Sequence, residues 1–345
     1  MKLFEAFGFK KEQFSIVQEQ AEPDPDFPTV PFPNPEEGRS ALTLPFQTAD
    51  ANNATVVLVN DPDADRFQLG EKLPSGEWRV FSGNEMGAIM TWWVWHCWRK
   101  DHANDDPSNL FILNSAVSSS IVRTMAAKEG FKCEQTLTGF KWLGNKADEL
   151  RKEGRNVLLA WEESIGFMPG AALDKDGISA AAIFAEIASY LKSQNMSITK
   201  QLFAIYKEYG FHLIRSSYWF TPDPEITKKI FGKLRKEYPK AIGKYPVKYV
   251  RDLNVMYDNE QPGNKPVLPE STSSDMITFT LTNGSLATIR ASGTEPKIKY
   301  YIELKTPPGK EEKDLADVTA ELEELEKVVV EVLFEPKLNG LLPRK

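Results

Sequence analysis

From Ala54 to Val59 the chain reads Ala-Thr-Val-Val-Leu-Val, an uncharged run rich in β-branched residues. Such a run predicts a buried strand. Phe111-Ile112-Leu113 and Val157-Leu158-Leu159-Ala160-Trp161 predict two more short strands, and helical patterns follow each, near residues 120–129 and 178–191. Strands alternating with helices predict a parallel α/β domain. Ser82-Gly83-Asn84-Glu85 has the form of a capping box. It opens a helix with Met86, Ile89, Met90, Trp93, Val94 and Cys97 on one face. Trp92, Trp95 and Trp98 cover another, which predicts burial on more than one side and makes the tryptophans core rather than a stacking platform. Residues 20–38 are dominated by Pro, Asp and Glu and predict extended chain. After about Pro222 the pattern changes. Thr278–Leu281 and Leu286–Ile289 flank Asn283-Gly284, a strong hairpin signal. Lys299–Leu304 predicts a further strand, and Leu315, Val318, Leu322, Leu325, Val329 and Val332 predict a last amphipathic helix. This part predicts an α+β domain with antiparallel strands.

Length and composition narrow the class. A chain of 345 residues suggests two or three domains, and 41% hydrophobic with 26% charged residues is a soluble globular composition. A net charge of −7 argues against a general nucleic-acid binder. Cys97 and Cys133 are far apart, form no metal-type spacing, and fit a reducing, cytoplasmic setting. No signal peptide is visible at Met1. The longest apolar stretch, Met86–Trp98, is too short for a membrane span and contains His96. No internal repeat or low-complexity tract is found. His96, His102 and His212 form no local cluster and are assigned no catalysis.

The candidate chemistry begins directly after the first strand, in Asn60-Asp61-Pro62-Asp63-Ala64-Asp65-Arg66. Ligands of open α/β sheets usually bind at the carboxyl ends of strands. Three carboxylates this close repel each other unless a cation neutralises them, and hard oxygen donors suit Mg²⁺ or Ca²⁺. An EF-hand would need Gly at the sixth loop position and Glu at the twelfth; Arg66 and Lys72 stand there, so that reading fails. An aspartyl nucleophile in an Asp-x-Asp loop is a weak alternative. Arg66 could hold a phosphate against the metal, or could simply form a salt bridge within the loop.

Three other loops carry polar groups suited to a ligand. In Arg290-Ala291-Ser292-Gly293-Thr294-Glu295-Pro296-Lys297-Ile298-Lys299, hydroxyls, a glycine that permits close approach and flanking cations suit a phosphate oxyanion. In Trp161-Glu162-Glu163-Ser164-Ile165-Gly166-Phe167, two carboxylates could accept hydrogen bonds from a polyol. Neighbouring side chains of extended chain point opposite ways, so one could face ligand while the other braces the loop. Thr138-Gly139-Phe140-Lys141-Trp142 offers one cation beside a glycine turn.

Taken in order, Asp61–Arg66, Thr138–Lys141, Glu162–Phe167 and Arg290–Lys299 resemble the loops of the α-D-phosphohexomutases, most closely the phosphoglucomutase/phosphopentomutase branch that includes glucose 1,6-bisphosphate synthase. Phe81-Ser82-Gly83-Asn84-Glu85, Leu173-Asp174-Lys175-Asp176-Gly177, Asp26-Phe27-Pro28-Thr29-Val30 and Gly293 through Tyr301 look like the same branch, so the resemblance spans nearly the whole chain. It implies four domains around one cleft, and phosphoryl transfer between positions of a sugar phosphate such as glucose 1-phosphate, glucose 6-phosphate or ribose 1-phosphate. It implies that a phosphoserine of the first domain gives and retakes the phosphoryl group. By the same resemblance Asp61, Asp63 and Asp65 hold Mg²⁺, with Arg66 and Lys141 supporting near the reacting oxygens. Thr138, Gly139, Lys141, Glu162 and Ser164 would contact the sugar, and Arg290, Ser292, Gly293, Thr294 and Lys299 the non-reacting phosphate. Many members end that last loop with Arg; Lys299 keeps the charge without the bidentate fork.

On this resemblance residues 1–82 are an incomplete metal-binding domain, 83–222 a sugar-binding α/β domain and 223–345 a phosphate-binding α+β domain. The fold class is thus two α/β/α domains, the first incomplete, followed by an α+β domain. The family's serine loop, a Thr-Ala-Ser-His-Asn-Pro type pattern, has no counterpart, since no Ser-His pair occurs in the sequence. The first domain is expected to be missing, leaving an open sheet edge beside the Asp61 strand. Two functions follow: a phosphosugar mutase represented by its last three domains and without turnover as this chain, or a non-catalytic, truncated binder of sugar phosphates. A fragment of a glucose 1,6-bisphosphate synthase is a third form of the same idea. Hexose against pentose, and oligomeric state, stay open.

Overall fold

The computed structural model describes residues 2–36, 40–271, 275–293 and 295–344. The chain divides into two compact units, Met1–Ile205 and Tyr206–Lys345.

The first unit opens with α1 (Lys2–Ala6) and α2 (Ser40–Ala51), and the described residues between them make short 3₁₀ turns and bends without a strand. Its first sheet is a meander of β1 (Val56–Asn60), β2 (Phe67–Lys72) and β3 (Trp78–Val80), antiparallel throughout. The apolar run at Ala54 becomes β1, which among the described residues pairs only with β2 and so lies at the sheet's end. After α3 (Gly83–Asp101) come β4 (Leu110–Ser115), α4 (Ile121–Glu129), β5 (Lys132–Thr136), α5 (Phe140–Lys152), β6 (Asn156–Glu162) and β7 (Gly166–Pro169). These strands form a second sheet of order β5-β4-β6-β7, in which β4 runs parallel to β5 and β6 while β7 returns antiparallel. All of β4 is buried, as a strand covered on both faces must be.

α6 (Gly177–Ser193) packs on β1, β2 and β7, and therefore on both sheets. Phe184 of this helix stacks on Phe67 of β2 at 5.1 Å and meets Phe167 of β7 edge-on at 6.3 Å. All three rings are fully buried; each contributes roughly 1.5–3 kcal/mol by leaving water. α7 (Ile198–Tyr209) follows.

The second unit holds one antiparallel sheet. Its strands are β8 (His212–Phe220), β9 (Ala241–Ile242), β10 (Tyr245–Asp252), β11 (Tyr257–Asp258), β12 (Met276–Leu281), β13 (Leu286–Ala291), β14 (Lys297–Lys305) and β15 (Leu342–Pro343). Their order is β11-β10-β12-β13-β14-β8-β15, with β9 on β10. The Asn283-Gly284 turn joins β12 to β13. The helices are α8 (Pro224–Lys236), α9 (Leu315–Val329) and α10 (Pro336–Asn339). α9 buries Val318, Leu322, Leu325 and Val329 and packs on β8 and β14; on the other face of β14, Lys297, Lys299 and Tyr301 are part-exposed and Glu303 is buried. The helix expected to reach Val332 ends at Val329 and widens into a π-helical turn over Val330–Phe334, which buries Leu333 and Phe334. Among the described residues no helix is long and apolar enough to cross a membrane.

Candidate functional site

The acidic loop begins where β1 ends. Asp61 is buried; its Oδ1 accepts the Arg66 backbone N–H at 2.9 Å and its Oδ2 accepts Arg66 Nε at 2.7 Å. Ala64 takes a left-handed φ of 58°, closed by its N–H on the Asp61 carbonyl at 2.9 Å. This tight turn throws Asp61, Asp63 and Asp65 together: one oxygen of each lies within 4.8 Å of the others. Partial loss of hydration, then the charge of Asp61, pushes the Asp63 carboxyl above its ordinary value. Asp65 Oδ2 bonds the ammonium of Lys175, while Asp65 Oδ1 is buried with no hydrogen-bond partner. A buried carboxylate oxygen that accepts no hydrogen bond, in a cluster of three hard donors, fits a divalent cation such as Mg²⁺.

Arg66 and Lys175 are the loop's own counter-charges. Arg66 makes the internal salt bridge to Asp61, with Asp65 at 3.7 Å and Glu36 at 4.0 Å. Burial works to lower the Lys175 ammonium, and the hydrogen bond and charge of Asp65 outweigh it, so the net shift is upward. Lys175 was not singled out from the sequence; it lies beyond β7 and reaches the loop only through the fold. The Gly177 N–H bonds the Ala64 carbonyl at 3.2 Å and anchors that approach.

The second and third candidate loops join the first at the carboxyl ends of the strands. The Phe67 N–H bonds the Ile165 carbonyl at 3.0 Å, and Arg66 bridges Gly166. Glu162, at the end of β6, accepts the Gly139 N–H at 2.6 Å, so Thr138-Gly139 after β5 is fastened to it. Gly139 holds a φ of 104°, a conformation open to glycine at little strain. Lys141 is exposed on the first turn of α5, its ammonium 5.8 Å from the Trp142 ring. Ser164 is half-buried. Glu163 is the brace: it accepts the hydroxyls of Ser115 at 3.1 Å and Ser118 at 3.0 Å, and its N–H donates to Ser118 Oγ. Asn84 Oδ1, in the first turn of α3, accepts the Ser119 N–H at 2.8 Å. The serines are a set the sequence reading passed over. The signal was Ser115-Ala116-Val117-Ser118-Ser119-Ser120 directly after a buried strand.

The fourth loop belongs to the second unit. β13 and β14 pair Arg290 with Lys299, and the loop closes through the Ser292 N–H on the Lys297 carbonyl at 2.9 Å and the Glu295 N–H on Ser292 Oγ at 3.3 Å. Gly293 is exposed; Thr294 lies outside the described residues. Lys297 pairs with Glu295 at 2.9 Å, and that hydrogen bond holds the Glu295 carboxyl below its ordinary value.

The chain has counterparts among known proteins. The family description phosphoglucomutase/phosphomannomutase, alpha/beta/alpha domain II, matches residues 1–73, and that of alpha/beta/alpha domain III matches residues 82–209. The chain belongs to the phosphoglucomutase/phosphomannomutase family, within the α-D-phosphohexomutases. It is 52% identical to human phosphopentomutase over 99% of its own length and 56% of that protein. It is 47% identical to human glucose 1,6-bisphosphate synthase over 99% of itself and 55% of that protein. Among solved structures it resembles parafusin, a phosphoglucomutase of Paramecium, with a TM-score of 0.57 and 20% identity, covering 80% of this chain and 46% of the other. The chain thus spans about half the length of the curated relatives it matches.

Proposed function

We propose that this chain carries the metal-binding, sugar-binding and phosphate-binding loops of a phosphosugar mutase acting on hexose or pentose phosphates. In this reading residues 1–82, 83–222 and 223–345 are three successive domains of such an enzyme. The observation that carries it is the convergence of Asp61, Asp63 and Asp65 within 4.8 Å, with a buried Asp65 oxygen that accepts no hydrogen bond among the described residues. The same loop is tied through Arg66 and Phe67 to the Glu162–Gly166 segment. Asp61, Asp63 and Asp65 would hold Mg²⁺, which when bound supplies positive charge to a phosphoryl group. Arg66 and Lys141 would orient phosphoryl oxygens through charge-assisted hydrogen bonds. Glu162 and Ser164 would accept and donate bonds to sugar hydroxyls, with Thr138 and Gly139 shaping that edge. Arg290, Ser292, Gly293, Thr294 and Lys299 would take the non-reacting phosphate. The organisation in which relatives named phosphopentomutase and glucose 1,6-bisphosphate synthase match almost every residue supports either substrate class.

Charge and positioning are present, but no Ser-His pair occurs in the sequence to serve as the phosphoryl carrier the resemblance implies. Residues 1–345 by themselves are therefore expected to bind glucose 6-phosphate and ribose 1-phosphate without interconverting isomers. Calorimetric titration with and without Mg²⁺ tests the binding, and a coupled assay from glucose 1-phosphate tests the turnover. Conversion proportional to this protein and free of host enzyme overturns the second statement; absence of binding overturns the first.

A further inference from the structure

Register places three cations in one row across the sheet of the second unit. Arg290 of β13 is paired with Lys299 of β14, and Lys299 with Tyr218 of β8. On the far edge of β8, β15 pairs Leu342 with Phe220 and Pro343 with Trp219, so the next step of the ladder sets Arg344 opposite Tyr218. Side chains directly opposite in neighbouring strands lie on one face. The guanidinium carbon of Arg344 accordingly lies 5.3 Å from the centre of the Tyr218 ring. The row Arg290–Lys299–Tyr218–Arg344 occupies the face opposite α9, where Lys299 and Tyr218 are part-exposed and Arg344 is exposed, while Ile298 and Tyr300 are buried on the other face, with Tyr300 bonded to Glu326 of α9.

Charge makes the row unusual. Among the described residues none of Arg290, Lys299 and Arg344 has a carboxylate within ion-pair distance. Lys297, on the same face, stacks on Tyr218 at 4.5 Å but is committed to Glu295. Glu295 is the one acidic group of the loop, and Lys297 sits between it and the ring. Both residues of β15 are exposed, so burial does not explain why this strand docks. Its docking sets a guanidinium beside the phosphate loop. Neighbouring strands are about 4.8 Å apart, so Lys299 and Arg344, two strands apart, are separated by about 10 Å of sheet and Arg290 and Arg344, three strands apart, by about 14 Å, a gap that two long cationic side chains and a phosphate between them fill. Lys299 offers a point charge, whereas Arg344 offers the planar fork that matches two phosphate oxygens.

We propose that Arg344 is a phosphate-binding residue of this site, completing with Arg290 and Lys299 a three-cation row that grips the dianionic monoester of a sugar phosphate. The inference rests on the reading of Arg290–Lys299 as a phosphate site. Arg344 adds the fork that Lys299 lacks and approaches from the β15 edge, opposite to Arg290.

The full chain titrated with glucose 6-phosphate, followed by calorimetry and by amide shifts at Ser292–Lys297, separates the two claims. Arg344→Ala should weaken binding about tenfold, one charge-assisted bidentate contact. Arg344→Lys should recover only part of the loss. Lys236→Ala, which removes an exposed charge from α8, should leave affinity unchanged. If glucose 6-phosphate leaves Ser292–Lys297 unperturbed, or Arg290→Ala binds as tightly as the parent, the phosphate-site reading fails. If Arg290→Ala weakens binding while Arg344→Ala does not, the site stands and Arg344 is excluded from it. Equal losses in Arg344→Ala and Lys236→Ala would reduce the effect to net charge and overturn the proposal. Arg344 is exposed, so unchanged thermal unfolding of its variants should accompany these readings.

Discussion

Arg66 and Lys175 stand against Asp61 and Asp65 much as a divalent cation would, and a cation entering the loop competes with them for these carboxylates. Lys175 and Asp65 are both about a quarter exposed, so their pair contributes modestly, roughly 1 kcal/mol or less. Lys175→Met should therefore tighten Mg²⁺ by roughly fivefold while lowering the melting temperature of the metal-free protein. Calorimetry and thermal unfolding with and without Mg²⁺ check both signs; weaker Mg²⁺ binding in this variant would show that Lys175 supports the metal rather than competing with it. Asp63 makes no ion pair among the described residues, and Asp63→Asn should shrink the Mg²⁺-induced rise in melting temperature. The carboxylates were legible in the sequence because alternate spacing survives any turn. Lys175 was not, because it meets Asp65 from more than a hundred residues along the chain.

Capping and close approach decide the local elements that hold the site. Ser82 accepts the Glu85 N–H at 3.3 Å while Glu85 accepts the Ser82 N–H at 2.8 Å, a reciprocal cap legible from four residues. Ser82→Ala should cost about 1 kcal/mol in urea unfolding. Gly83→Ala should cost more and also weaken sugar-phosphate binding, since a Cβ there would lie 2.0 Å from the Glu163 carbonyl oxygen. A second cap is tertiary: buried Glu71 of β2 accepts the N–H groups of Ile198 at 2.7 Å and Thr199 at 2.8 Å, closing the start of α7. Glu71→Ala orphans both donors and should cost roughly 1–3 kcal/mol by the same measurement. Strands such as β5, Lys-Cys-Glu-Gln-Thr, escape sequence reading because they are too polar to signal; pairing with buried β4 makes them strands. The meander β1-β2-β3 shows the converse, an apolar run whose neighbours turn out antiparallel.

Stability of the whole molecule should decline in alkali before any charged cluster comes apart. Burial pushes the Cys133 thiol up to about 12, and burial with the Glu326 hydrogen bond pushes the Tyr300 hydroxyl up to about 12. Both groups hold their protons in the native state at a pH where the unfolded chain, with values near 9.0 and 10.0, has released them. The unfolded state then binds fewer protons, so stability is full below about pH 9 and falls as pH rises toward 12. Urea midpoints should drop between pH 8 and pH 11, and less so in Cys133→Ala. The raised thiol leaves little thiolate at neutral pH, so the half-buried Cys133 should react slowly with iodoacetamide until the protein unfolds.

The amino-acid sequence by itself determined what local chemistry can determine. The apolar run ahead of the carboxylates, the Ser82 cap, the Asn283-Gly284 hairpin and the amphipathic stripe of α9 each follow from neighbours a few residues apart. The polar loops Asp61–Arg66, Thr138–Lys141, Glu162–Phe167 and Arg290–Lys299, in their order, carried the resemblance to the family. Tertiary structure alone decided which charges meet. It set Lys175 on Asp65, Glu163 on the Ser115 and Ser118 hydroxyls, Glu71 on the start of α7, and Arg344 on Tyr218 beside Lys299. The physical reason is reach: helix period and strand alternation act over a turn or a pleat. Partner choice between distant segments is set by sheet register and by which helix covers which face, and no local pattern encodes either.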